Sequence, residues 1–285
     1  MFLIVGYVII LASSLGTYAL HGSLLALWVP TEYVAIVCLT IGGFVAGNDI
    51  KVIKATVGAL PGVLKGSKFN KAFYVDALAM LFEILSKVRK EGLMSIEGDV
   101  ENPEASPIFS KYPNLVHDHH IMEFVTDYLR MMVGGNLNTV EIESLMDVEL
   151  ETHHHEAAEP GHVVQKVADA VPAFGIVVAV MGVVNVMGSV GSPPAVLGKM
   201  IGGALVGTFL GILVSYGFVA PISSLLEQKA HEGATIYRCI KMVLLASMSG
   251  YAPQVAIEFG RKTLGAHERP SFTELEEELK ARKGK

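Results

Sequence analysis

The sequence predicts an all-α membrane protein: four transmembrane helices in two hairpins, a helical cytoplasmic domain between spans 2 and 3, and a cytoplasmic C-terminal tail. Three observations predict it. The 285 residues are 51% hydrophobic with a mean hydropathy of +0.47, which is unusual for a soluble domain. Four runs free of Asp, Glu, Lys, Arg and His approach the roughly 20 apolar residues that a bilayer core demands of a helix. Basic residues fall almost entirely in two regions, with eleven between Lys51 and Lys166, ten between Lys229 and Lys285, and Lys199 as the one exception.

The first run, Phe2–Leu20, has no Lys or Arg ahead of it. A cleaved secretory leader would carry a basic start and a small-residue cleavage site, so a retained span is expected. Tyr33–Asn48 is the shortest run. Glu32, just before it, is expected at the membrane interface, where Trp28 belongs to the aromatic belt. The third and fourth runs are Pro172–Val190 and Met200–Ala220. Lys51, Lys54, Lys166 and Lys229 flank span ends, so the positive-inside rule turns the central region, the tail and both termini towards the cytoplasm. The expected division is 1–49 for the first hairpin, 50–168 for the cytoplasmic domain, 169–221 for the second hairpin and 222–285 for the tail.

The central region reads as helical. Phe73, Ala77, Met80, Leu81, Ile84, Leu85 and Val88 recur at helix spacing, and Lys87 lies four residues from both Glu83 and Glu91. "ENPEASPIF" is a break. "DHHIMEFVTDYLRMMVGG" and "NTVEIESLMDVELETHHHEAAE" form two further amphipathic helices, divided at Gly134–Gly135. The charged stretch Arg89–Pro103, "RKEGLMSIEGDVENP", reads by pattern as a solvated face. No strand signal, tandem repeat or low-complexity linker is present.

In lipid, small residues mark helix contact faces because they permit close backbone approach. Gly203, Gly207, Gly211 and Ser215 follow one another at intervals of four and predict a close helix neighbour, in the same chain or another. Gly175 and Ala179 in span 3, and Gly43 and Gly47 in span 2, fit simple bundle packing. Thr208, as a lone span threonine, would ordinarily bond its own helix backbone. Pro172 and Pro221 each stand where a helix continues from a span into polar sequence. A proline removes one backbone bond there, so the pair forms matched hinges at the cytoplasmic mouths of adjacent spans.

Several function classes are excluded. With a net charge of −6 and no basic block, nucleic acid is not a partner. Cys38 and Cys239 form no metal or redox motif. "GGALVGT" lacks the lysine of a phosphate loop. His153–His155 fan out by about 100° each on a helix and do not converge on one metal; His117–His120 sit among acidic residues and read as a solvated face. No HExxH or GxSxG motif occurs, so neither an enzyme nor a bound cofactor is expected. A proton or sodium relay needs an ionisable or strongly coordinating group within the membrane. The four runs supply only hydroxyls, Asn185 and backbone, so an ion conductor of this design would need a partner helix to bring the carboxylate.

Long stretches resemble one family: "RKEGLMSIEGDVENP", "NTVEIESLMDVELETH", "DAVPAFGIVVAVMGVV", "GTFLGILVSYGFVAPI", "GYAPQVAIEFGRKTL" and "ERPSFTELEEEL". Together with the four-span layout they make the chain similar to the MotA family of flagellar motor stator proteins, within the MotA/TolQ/ExbB proton channel group. The resemblance spans essentially the whole chain. It implies a homopentamer around two copies of the peptidoglycan-anchored MotB, whose membrane Asp would carry the coupling proton. Torque would pass to the rotor protein FliG through Arg89 and Glu97. It also implies functional roles for Pro172 and Pro221 and a channel-facing hydroxyl at Thr208. Sodium-driven relatives carry a second hydroxyl at the position of Ala179. Sodium needs oxygen ligands where a proton needs only a titratable carboxylate, so proton drive is expected. Two alternatives stand beside the stator: an ExbB/TolQ-like energiser of an outer-membrane process, and a non-conducting membrane scaffold. Localisation follows as the bacterial inner membrane.

Overall fold

A computed structural model describes residues 2–135 and 138–283; residue 1, residues 136–137 and the last two residues of the tail lie outside the described part. Twelve helices are used below: α1 (Phe2–Ala19), α2 (Pro30–Ala46), α3 (Ile50–Val63), α4 (Lys71–Glu91), α5 (Glu97–Glu101), α6 (Pro113–Val116), α7 (His119–Gly134), α8 (Thr139–Met187), α9 (Pro194–Val214), α10 (Ala220–Met248), α11 (Pro253–Thr263) and α12 (Phe272–Lys283). Short 3₁₀ turns fill several connections, and no strand occurs among the described residues. Four helical stretches are long and apolar enough to cross a membrane, within Phe2–Ala19, Leu24–Ala46, Thr139–Met187 and Pro194–Met248.

The chain divides into two compact units, residues 1–66 with 158–228 and residues 67–157 with 229–285. In the second unit α4 is the central element. Eleven of its residues from Phe73 to Leu85 are buried, and all but Val75 share a core with α7, α11, Ile142 and Met146 of α8, and Ile236 to Ala246 of α10. Its start is capped by Asn70, whose side chain accepts from the Phe73 N–H at 3.0 Å. Its end is set by Gly92 at φ +88°, a conformation that disfavours a side chain. Two capping boxes open later helices. Asn138 and Glu141 exchange bonds at the start of α8, and Ser271 and Glu274 do so at the start of α12.

The polar pairing of this unit differs from the helix-face pairs expected above. Lys87 reaches Asp99 at 2.7 Å rather than Glu83 or Glu91, and Glu83 pairs instead with Lys111 and accepts from the Tyr112 hydroxyl at 2.8 Å. Asp99 is therefore not part of a solvated face. It is buried, and it also accepts from the Ser106 hydroxyl at 2.6 Å. The chain turns at Gly92 and again at the prolines beyond Glu101, which folds Asp99 back beneath α4.

The first unit is built differently. None of the residues of α1 is buried, and Phe2, Ile4, Val5, Val8, Ile9 and Leu11 are exposed, as a lipid-facing helix requires, while Leu3 packs inward. It is tied by Tyr7, whose hydroxyl donates to the Phe218 carbonyl at 2.6 Å. The two apolar runs of the C-terminal half extend much further than sequence hydropathy marks them. Span 3 lies inside the 49-residue α8, which runs unbroken through Pro160 and Pro172. Span 4 is α9, and it joins α10 through a π-helical turn, Ser215–Val219.

Candidate functional site

The small residues of α9 fix the geometry of the first unit. A methyl added to Gly211 would lie 2.9 Å from the Gly175 Cα and 3.1 Å from the Val171 carbonyl oxygen on α8. One added to Gly175 would lie 2.6 Å from the Gly207 carbonyl oxygen. Gly207 and Gly211 thus straddle Gly175, and the two backbones touch as close van der Waals packing between membrane helices demands. Ser215 continues the stripe, and its buried hydroxyl donates to the Ala168 carbonyl at 2.6 Å. The neighbour of this stripe is in the same chain. Gly203 stands apart, since the nearest atom to an added methyl is Val29 Cγ2 at 3.9 Å.

Ala179 and Thr208 sit at this contact. Ala179 is buried on α8, and its backbone nitrogen lies 3.2 Å from the place a Gly207 side chain would begin. Thr208 is the next residue on α9 and is half-buried. Pro172 lies one turn before Gly175 in α8. Pro221 follows the π turn after Ala220. Having no N–H, it cannot serve the Gly217 carbonyl, and a π turn is where a helix adjusts its hydrogen-bond ladder.

Sequence reading missed one residue here. Glu32 was expected at the interface, with spans that carry no acid of their own. Its side chain is instead turned inward from the first turn of α2, and the residue is 8% exposed. Oε2 lies 2.8 Å from where a Gly207 methyl would stand, and Oε1 3.6 Å from the corresponding point at Gly182. Oε2 has no hydrogen-bond partner. A signal was available. Glu32 precedes Ile36 and Thr40 by four and eight residues, so it shares the packed face of α2 rather than its lipid face.

Arg89 and Glu97 lie in the second unit, and both are exposed. Arg89 closes the last turn of α4, and its Nη1 donates to the Gly250 carbonyl at 3.4 Å. Glu97 opens α5 on the far side of Gly92 and the 3₁₀ turn Leu93–Ile96, so no single helix carries the pair. The histidines do not gather. His120 and His153 rings lie 6.2 Å apart, His154 and His231 rings 6.3 Å, and no group of three metal-ligating side chains forms among the described residues.

A bundle of long apolar helices closed by backbone-to-backbone contacts, joined to a helical unit rich in ion pairs, defines a helical membrane protein. Known proteins agree with that class. Residues 4–92 match the family described as Motility protein A N-terminal, and residues 116–238 match the MotA/TolQ/ExbB proton channel family. Motility protein A of Escherichia coli K12 is 48% identical over 99% of this chain and 96% of its own length. Chemotaxis protein LafT of Vibrio parahaemolyticus is 32% identical over 98% of each. The chain belongs to the motility protein A family. Its fold is that of a chain in the structure of C. jejuni MotAB, with a TM-score of 0.75 over 94% of this chain and 98% of that one, at 21% identity.

Proposed function

We propose that this chain is the stator subunit of a bacterial flagellar motor, forming with MotB a proton-conducting channel that converts proton motive force into torque. The observation that carries this is the 48% identity to motility protein A over nearly the whole of both chains. The match of residues 4–92 to a motility-specific N-terminal family favours the stator over the ExbB/TolQ energiser. The chain would sit in the inner membrane as two hairpins, with both termini, residues 50–168 and the tail 222–285 on the cytoplasmic side. Five copies would surround two of MotB. The proton is the coupling ion, and a membrane carboxylate of MotB carries it past Thr208 and Ala179. Pro172 and Pro221 transmit the resulting movement, and the exposed Arg89 and Glu97 meet charges on FliG.

The tightness of the α8–α9 contact supports this division of labour. No room exists between Gly175, Gly207 and Gly211 for an ion path within one copy, so a path would run between copies and their partner. The test is co-expression with MotB in a strain that lacks both stator proteins. Swimming is expected to return, to persist without sodium, and to fail when the proton gradient is collapsed. Swimming that survives loss of the proton gradient but stops on sodium removal would overturn proton drive.

A further inference from the structure

Glu32 is an anomaly in the first unit. It is a carboxyl more than nine-tenths buried in a membrane-spanning bundle, with one oxygen lacking any partner. The stretches that face it supply none. Residues 170–198, which include the span part of α8, and residues 200–214 of α9 contain no Asp, Glu, His, Lys or Arg. On its own side, residues 23–31 carry no ionisable group. Tyr33 donates its hydroxyl to the Leu27 carbonyl at 3.2 Å, and Cys38 is exposed. His21 and Lys199, both exposed, are the nearest charged or titratable groups along the two short connections. An unpaired charge is costly in such a place, and intramembrane ionisable groups mark ion and proton paths. The first turn of α2 offsets part of that cost, because a helix N-terminus favours negative charge.

The surroundings are cleared for this group. Gly207 and Gly182 border it, and Gly182 in turn packs on Ala204, where an added methyl would stand 2.7 Å from the Ala204 Cβ. A methyl on Gly207 would meet both Glu32 Oε2 at 2.8 Å and the Ala179 backbone nitrogen at 3.2 Å, so the carboxyl borders the same glycine as Ala179, one of the residues to which the ion path was assigned above. A purely structural carboxyl would be expected to hold a donor, and Oε2 holds none.

We propose that Glu32 is a proton-binding site carried by this chain itself, standing ahead of the partner's carboxylate in the conduction path. The inference rests on the proton-channel function proposed above. Oε2 takes a proton from water entering at the connection between α1 and α2, forming an O–H bond as the hydronium O–H bond breaks. It then releases that proton to a carboxylate on the partner's span and returns to its ionised form. Glu32→Gln keeps the shape and the polarity but cannot exchange a proton, while Glu32→Asp keeps a titratable group.

The experiment uses the whole complex with MotB in lipid vesicles under an imposed pH gradient, with proton flux read by a pH dye. Infrared difference spectra provide a second readout, through the deuterium-sensitive carbonyl stretch of a protonated carboxyl. Glu32→Gln is expected to assemble, to lower proton flux at least tenfold and to remove one such band. Glu32→Asp is expected to conduct more than Glu32→Gln. Wild-type flux from Glu32→Gln in a conducting system overturns this inference alone. So does an unchanged infrared spectrum. Should Glu32→Gln fail to assemble, Glu32→Asp decides: a spectrum with no displaced carboxyl band overturns the proposal. A wild-type complex that conducts no protons overturns the channel function and this site with it.

Discussion

Gly175→Ala tests the packing of the first unit most directly, because two effects predict opposite signs. Gly175 lies inside α8, where exchanging glycine for alanine in a helix interior stabilises by about 1 kcal/mol. Sterically, the new methyl would stand 2.6 Å from the Gly207 carbonyl oxygen and 3.0 Å from the Gly211 Cα. Ordinary contact begins near 3.4 Å. Both obstacles are backbone, so no side-chain rotation relieves them, and α9 must retreat by roughly 0.8 Å or α8 must bend. Overpacking costs about 1–3 kcal/mol, and a contact this short belongs at the upper end. The net expectation is a loss of about 2 kcal/mol, roughly 30-fold in the folding equilibrium at about 1.4 kcal/mol per tenfold. Chemical denaturation of the detergent-solubilised complex measures it. Gly203→Ala is the control, since it also lies inside a helix but meets nothing closer than 3.9 Å, and it should gain up to about 1 kcal/mol from helix propensity alone. A Gly175→Ala protein as stable as Gly203→Ala would refute the steric reasoning, and a more stable one would show that helix propensity dominates.

Other expectations concern the second unit. Gly260→Ala should destabilise it by about 3 kcal/mol, since the methyl would fall 2.4 Å from Val243 Cγ2 and 2.9 Å from the Cys239 carbonyl oxygen; an unchanged denaturation midpoint would contradict the α10–α11 contact. Asp99→Ala should cost about 3 kcal/mol, the low end for breaking a buried pair, because Lys87 at 28% exposed can turn to water. Hydrogen exchange should quicken around Ser106 in that variant, and unchanged protection would argue against the pairing. Glu274 is held down to about 2 by its bond from Lys71, then by those from the Ser271 backbone and side chain. A depressed carboxyl stabilises above its ordinary value and loses that contribution as pH falls through the folded one. Between pH 4.5 and about 2, wild type should therefore lose more thermal stability than Glu274→Gln, and parallel curves would remove the effect. Reversing both Arg89 and Glu97 should impair swimming while leaving the melting curve within a degree or two, as both are exposed; normal swimming with native rotor charges would end their torque role.

Much of this structure is legible in the sequence, and the failures have physical causes. Hydropathy finds four spans because lipid demands long uncharged helices, and nothing in the fold disturbs that demand. It does not find their ends. The helix continues from span 3 into polar sequence through Pro172, as read, and α8 runs on without a break there, so the proline does not mark where the span begins. The stretch from Leu93 to Asp118 defeats periodicity altogether. It consists of 3₁₀ turns and helices of four and five residues, too short to show a repeat. Asp99 was lost within a crowd of charges, since burial is decided by where the chain returns and Ser106 is what meets it. The inward turn of Glu32 went unread because its distance from the span end was counted without asking which face of α2 it occupies.

The π turn at Ser215–Val219 carries one more residue per turn than the helices it joins. It therefore works as a phase setting. Closing that turn to plain α geometry with all five residues kept would swing everything immediately downstream by about 100° around the axis. Ser223 would leave the Gly161 carbonyl that now accepts its hydroxyl at 2.9 Å, and Leu226 would leave its cluster with Val63 and Val164. The wide turn and the extra residue offset one another, so deleting one residue here should leave α10 nearly in phase where inserting one should not.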